Sequence, residues 1–307
     1  MLRTAALALA STAAAFSCAC MSVGPAPVRF AGQRNIIVWD AERGIENFVR
    51  DARFETKGHS LGFIAPSPTR PNIVAVDPAA FDLFKKYESG YGLGGGFGGG
   101  GMTRGVAVVE RKLVAGYEAT VLKASDPREL AAWLAANGYP SPRYAERWTA
   151  PYVRRGWYLT AFKVATGEGA GATGPVRMSF QTKTPFNPYS VPAENSGRGG
   201  LLLYYVSATG EEPKIGGVQD WIAPAWTKPL KDADAAELAK DLKLNRVGIP
   251  ENSTVRLYDD PNFGRPNLDD VYFVPAPKPE TPALPKLLGL FALVPLAFIR
   301  VGRRSGP

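Results

Sequence analysis

Apolar residues crowd the two ends of this chain and are diluted between them. Arg3 precedes an alanine-rich run from Ala5 to Phe16, and the small residues Ser17 and Ala19 follow, the layout of a bacterial secretory signal over residues 1–20. A second run, Leu287 to Ile299, is followed at once by Arg300, Arg303 and Arg304, and a basic flank of this kind stays on the cytoplasmic side of a membrane. The expectation is an exported protein, anchored by its C-terminal helix, with the main domain outside and the C-terminus inside. Both cysteines, Cys18 and Cys20, stand at the leader boundary, so the body between the ends must fold by core burial rather than by internal disulfides. Either ordinary signal cleavage or a lipid-bearing cysteine fits that boundary, since Ser17 and Ala19 are the small residues such processing wants.

The tail has two readings. As a helix, Leu287 to Ile299 rises about 20 Å against a hydrocarbon core of about 30 Å, so spanning needs Lys286 and Arg300 to snorkel. A Pro-rich stretch (276–285), a short apolar helix (286–304) and a basic cluster also make up a sorting signal cut after export. The formal net charge is +8, and Arg3, Lys286, Arg300, Arg303 and Arg304 belong to the terminal segments. The remaining charge of about +3 gives no footprint for nucleic acid.

Residues 30–275 read as α+β, with a mainly antiparallel β-sheet and a few short helices. They form one region or two, 30–88 and 105–275, joined by a Gly-rich loop at 90–101. Ile36 to Trp39, Phe48 to Phe54 and Leu61 to Ile64 suggest a β-meander turned by Gly44. Asp77-Pro78 opens a short helix carrying Phe81 and Phe84, ending near Tyr87. Gly90-Tyr91-Gly92-Leu93-Gly94-Gly95 matches a dinucleotide fingerprint only formally, because a helix precedes it and strand-like sequence follows.

Val106 to Leu122 read as a hairpin around Gly116 or an earlier turn. Asp126-Pro127-Arg128-Glu129 is then a capping box with proline at the first helical position, and Asn137-Gly138 closes that helix. An amphipathic piece holding Tyr144, Trp148 and Tyr152 ends at Gly156. Strands are expected at Val176–Thr182, Leu201–Ser207, Thr254–Tyr258 and Val271–Val274, with a second capping box at Asp234 to Glu237.

Several of these segments together resemble the bacterial envelope proteins of domain of unknown function 2330. The likeness rests on Tyr117 to Asp126, Leu130 to Tyr139, Tyr152 with Gly156-Trp157-Tyr158, the earlier Gly62 to Pro68 and Asp77 to Phe81, and Val176 to Phe180 with Pro185 and Tyr189. It spans about residues 30 to 195. The resemblance implies exported, often membrane-anchored proteins with no established activity, so it assigns no functional residue.

His59, the sole histidine, lies in Lys57-Gly58-His59-Ser60, which reads as a surface turn. One histidine and two terminal cysteines do not make a structural zinc site. Trp221 and Trp226, bracketed by Pro224 and Pro229, either pack or offer stacking faces on an exposed loop. Asp259, Asp260, Asn262, Asp269 and Asp270 gather enough oxygens around Gly264 for a calcium loop, without EF-hand spacing, and the same residue types serve ordinary turns. The function expected is a non-enzymatic structural or binding protein of the cell envelope, with no cofactor unless calcium binds. The alternative is an envelope hydrolase working through two carboxylates.

Overall fold

Residues 45–56 answer residues 28–40 across a turn at Gly44, whose φ of 62° suits a residue without a side chain. A Cβ there would stand 3.2 Å from the Thr182 carbonyl oxygen. The computed structural model describes residues 20–22, 28–56, 61–87, 107–139, 142–165, 173–191, 199–244, 248–265 and 267–276. The expected leader (all but Cys20), His59, the Gly-rich loop and the C-terminal helix lie outside these residues. Among the described residues, no helix is long and apolar enough to cross a membrane.

The strands are β1 (Cys20–Ser22), β2 (Val28–Asp40), β3 (Ile45–Thr56), β4 (Leu61–Ser67), β5 (Asn72–Ala75), β6 (Ala107–Val114), β7 (Tyr117–Lys123) and β8 (Tyr158–Val164). They continue as β9 (Val176–Gln181), β10 (Phe186–Asn187), β11 (Gly199–Ser207), β12 (Glu211–Ile215), β13 (Gln219–Asp220), β14 (Trp226–Pro229), β15 (Thr254–Phe263) and β16 (Val271–Pro275). The helices are α1 (Ala79–Asp82, prolonged by a tighter turn at Leu83–Lys86), α2 (Pro127–Ala136), α3 (Pro142–Arg154) and α4 (Asp232–Asp241).

Three sheets result, ordered β14-β15-β11-β2-β3-β9-β5, β1-β4-β8-β7-β6 and β10-β16-β12-β13. Pairing is antiparallel except between β11 and β2, which run parallel from Leu201 beside Gln33 to Ser207 beside Trp39. The expected meander therefore stops at β3. β4 leaves for the second sheet and pairs with β8, because Phe63 and Ala65 find their apolar partners there. Strands from 30–88 and from 105–275 pair with one another within both larger sheets, and the described residues belong to one compact unit ending at Ala276.

The alternation of side chains along β2 gives the seven-stranded sheet two buried faces. Ile37, Phe48, Leu203 and Tyr205 face the other two sheets and form the largest core with Phe63, Phe162, Phe186 and Phe273. Ile36, Val38, Val49 and Tyr204 point the other way, under α1 and α4. The Phe84 ring stacks on Tyr204 at 4.3 Å. On the second sheet, Ile64, Leu122, Leu159 and Ala161 carry α2 and α3 through Leu130, Trp133, Leu134 and Tyr152. The layers are thus helix, sheet, paired sheets, helix.

Local signals explain the best-formed pieces. Ala115 and Gly116, with φ of 49° and 74°, make the tight turn between β6 and β7. Asp126 caps α2, but its carboxylate accepts from the Arg128 amide at 2.8 Å and from the Arg128 guanidinium rather than from the amide three residues on. Gly138, at φ 82°, closes the helix, and the Tyr139 amide donates back to the Leu134 carbonyl at 2.8 Å. Buried Lys163 donates to the Asn137 carbonyl at 3.0 Å, placing a cation at the negative end of that helix.

The second capping box does not form. α4 starts at Asp232 after Lys231, so Asp234 falls within the first turn, where Lys86 and the Tyr87 hydroxyl engage it.

Candidate functional site

β15 continues past Tyr258 to Phe263, which carries the first three residues of the expected calcium loop into a strand. Asp259 lies opposite Leu202 and is half-buried, and burial pushes its carboxyl up. Asp260 is buried beside the Tyr189 hydroxyl, which donates to its Oδ2. Its Oδ1 accepts from the Asn262 amide at 3.0 Å, and Arg265 reaches Oδ2 at 3.3 Å. Arg265 also donates to the Tyr189 oxygen at 2.7 Å. Asp269 is exposed and accepts from the Asp270 amide at 2.8 Å.

Asp270 is fully buried. Its Oδ1 accepts from the amides of Tyr189 at 2.9 Å and Ser190 at 3.0 Å, and the Tyr152 hydroxyl lies 2.9 Å from Oδ2. Burial pushes this carboxyl up to about 6, against the three donors that pull it down. Asp260 and Asp270 are thereby brought to one residue, Tyr189, while Asp259, Asn262 and Asp269 are not. Among the described residues, no three or more His, Cys, Asp or Glu side chains stand as a group that could hold a metal ion.

The aromatic residues around this network pack. Tyr189 meets Trp221 edge-on at 5.4 Å and Phe263 at 5.2 Å, and the Trp148 indole donates to the Ser190 carbonyl at 3.1 Å. Trp226 lies in β14 and stacks on Tyr87 at 6.0 Å. Trp221 and Trp226 thus both pack on neighbouring aromatic rings, each half-buried.

A third acid completes the arrangement. Glu46 lies on β3, fully buried, and its Oε2 accepts from the Phe186 amide at 2.9 Å, whereas Oε1 has no hydrogen-bond partner. Burial pushes its carboxyl well above the usual range. Asn35 donates from Nδ2 to Asn187 Oδ1 at 2.7 Å. The segment Phe186–Ser190, which starts as β10 in the four-stranded sheet and runs on past it, is therefore held by Glu46, Asp260 and Asp270 from three different strands or loops. Glu46 escapes sequence reasoning. The only signal is a lone acid in the mixed run Ile45-Glu46-Asn47-Phe48-Val49, which an exposed strand position would also give.

Two surface clefts flank the loop at 249–252. One, about 540 Å³, is lined by Trp39, Asp40, Arg43, Thr209, Glu251 and Asn252. Its Asp40 is committed to the Arg43 amide at 3.0 Å and guanidinium at 2.5 Å. The other, about 520 Å³, lies against α4 at Ala235 and Ala239.

Residues 93–240 match the model of a family described as "Uncharacterized protein conserved in bacteria (DUF2330)". The match contains Tyr152, Phe186 and Tyr189 and leaves out Glu46, Asp260 and Asp270. It ends farther along the chain than the resemblance at 30–195 suggests, and the early segments Gly62 to Pro68 and Asp77 to Phe81 lie outside it. No curated protein and no solved structure matches the chain.

Proposed function

We propose that this chain, similar over residues 93–240 to an uncharacterized bacterial family, is an exported, C-terminally anchored protein of the cell envelope that serves a structural or binding role without catalysis. The observation that carries the reading is the use made of the clustered acids. Glu46, Asp260 and Asp270 face inward, and the hydrogen bonds they make go to backbone amides, tyrosine hydroxyls and Arg265, which ties down one strap of the fold. A glycoside hydrolase needs two carboxyl groups open to a shared cleft. The anchoring half of the reading rests on the Leu287 to Ile299 run and its arginine flank.

The test is fractionation of cells producing the full chain or a chain truncated after residue 282. The full chain should sediment with membranes and the truncated one should be released, with its body still exported. Release of the full chain, or sedimentation of both forms, would refute the anchor. Intact mass of the membrane form separates a retained tail ending at Pro307 from a cleaved sorting signal.

A further inference from the structure

Among the described residues, the three sheets end on β14, β5, β1, β6, β10 and β13. All of these are two to four residues long except β6, which has eight. A strand edge of that length offers a row of amides and carbonyls to another strand. Val108 and Leu113 of β6 are 39% and 59% exposed, and with Val218 they are the exposed large hydrophobic residues of the described chain. Pairing with β7 fixes the direction of each side chain. Val108, Arg111 and Leu113 stand opposite Leu122, Thr120 and Glu118, on the face that carries α2 and α3. Glu110, Lys112 and Val114 stand opposite Val121, Ala119 and Tyr117, on the core face. A bulge at Val109 takes up the odd residue between Val108 and Glu110.

We propose that β6 is the contact of a symmetric dimer, in which each copy lays its β6 antiparallel to the other about a two-fold axis at Arg111. Such an axis, perpendicular to the sheet, keeps each face continuous, so only registers that oppose residues of the same face are allowed. Centred on Arg111, Val108 lies opposite Leu113 of the second copy and Glu110 lies opposite Lys112 of the second copy, and each pair forms twice. Centred on Glu110 or on Lys112, like charges meet and an apolar side chain faces Arg111. Only the Arg111 register therefore matches apolar with apolar and acid with base, and this self-complementarity commits the edge to a second copy of the chain. Within one copy Glu110 already holds Arg70 at 2.8 Å and Lys112 at 3.5 Å, so the four ladder charges alternate in sign along and across the strands. The cost is Arg111 facing itself on the axis. The inference is independent of the anchor and of the binding role.

Sedimentation equilibrium of the full chain in detergent, over a range of protein concentrations, tests the contact. A reversible equilibrium between monomer and dimer is expected. Glu110→Lys places a lysine opposite Lys112 of the second copy at two positions and should weaken association about tenfold. Glu110→Lys combined with Lys112→Glu opposes the charges again and should restore the wild-type constant. Arg111→Thr removes the like pair on the axis and should tighten the dimer. Leu113→Lys, at an exposed position, should abolish it without lowering the melting temperature. A monomer at every concentration overturns the proposal. So does a dimer indifferent to these changes, as one held by the C-terminal apolar run would be, or one weakened by Glu110→Lys that the double variant does not restore. If Glu110→Lys does not fold, Leu113→Lys and Arg111→Thr, whose expected effects are opposite, decide.

Discussion

Replacing Asp270 by asparagine should make the protein more stable at neutral pH. Asparagine keeps an oxygen where Oδ1 accepts the Tyr189 and Ser190 amides, and its amide nitrogen can donate to the Tyr152 hydroxyl that now donates to Asp270. What changes is the titration. The Asp270 carboxyl sits at about 6 in the folded protein, above its ordinary value of 3.8. Between those values the folded state holds a proton that the unfolded chain releases, so stability falls as pH rises. The contribution is fully present below about pH 4, is lost by about pH 6 and stays lost above it. About two pH units at about 1.4 kcal/mol each give about 3 kcal/mol.

Urea unfolding of both proteins at intervals from pH 4 to pH 8 provides the assay, read as the difference in unfolding free energy. Glu46 titrates in both proteins and cancels. The Asp270→Asn variant should match the wild type near pH 4 and exceed it by up to about 3 kcal/mol at pH 7. A difference that is flat across this range, or that reverses sign, would refute the reasoning. Asp270→Leu provides the contrast. It leaves two amides and a hydroxyl without an acceptor and should destabilise at every pH, by about 1–3 kcal/mol per orphaned group.

Three further outcomes are expected. Gly138→Val puts a β-branched residue at a φ of 82° and should lower stability by about 1–2 kcal/mol, measured by thermal unfolding; an unchanged midpoint would mean that the turn is not left-handed. Phe273→Ala removes a fully buried ring stacked 3.9 Å from Tyr205 and should cost about 3–5 kcal/mol in urea unfolding, a loss below about 1 kcal/mol being the contrary result. With Asp260 and Asp270 already bonded to protein donors, the melting temperature should not move with millimolar calcium; a rise that follows mass action and disappears in Asp260→Asn would restore the ion site.

The parts that were legible in the sequence are those whose cause is local. Asp126-Pro127 and Asn137-Gly138 bracket α2 because a cap, a fixed φ and a left-handed residue act within one turn. Gly116 turns β6 into β7 for the same reason. The destination of β4 was not legible. Its alternation allows pairing with β3 as well as β8, and only the stacking of Phe63 on its cross-strand partner Phe162 decides between them. Asp234 shows the same limit, since its capping motif is sound but Lys86 and Tyr87, distant in sequence, claim the carboxylate. The acids from Asp259 to Asp270 look like loop residues by type, yet pairing with β11 holds Asp259 and Asp260 in a strand. Of the five proposed ligands, composition located the two that matter to the strap, Asp260 and Asp270, and assigned them a different chemistry.

The parallel seam between β2 and β11 also governs when this protein can fold. β2 emerges among the first residues and can form its hairpin with β3 at once, but its other edge must await residues 199–207, and β11 in turn needs residues 254–263. No shorter length of chain has the central strands paired on both sides, so the sheet closes late and through contacts of high sequence separation, which makes folding slow. Until β15 arrives, Leu201, Leu203 and Tyr205 are without their full neighbours, and a chain halted before residue 254 exposes an apolar strand edge that a holding partner would need to cover.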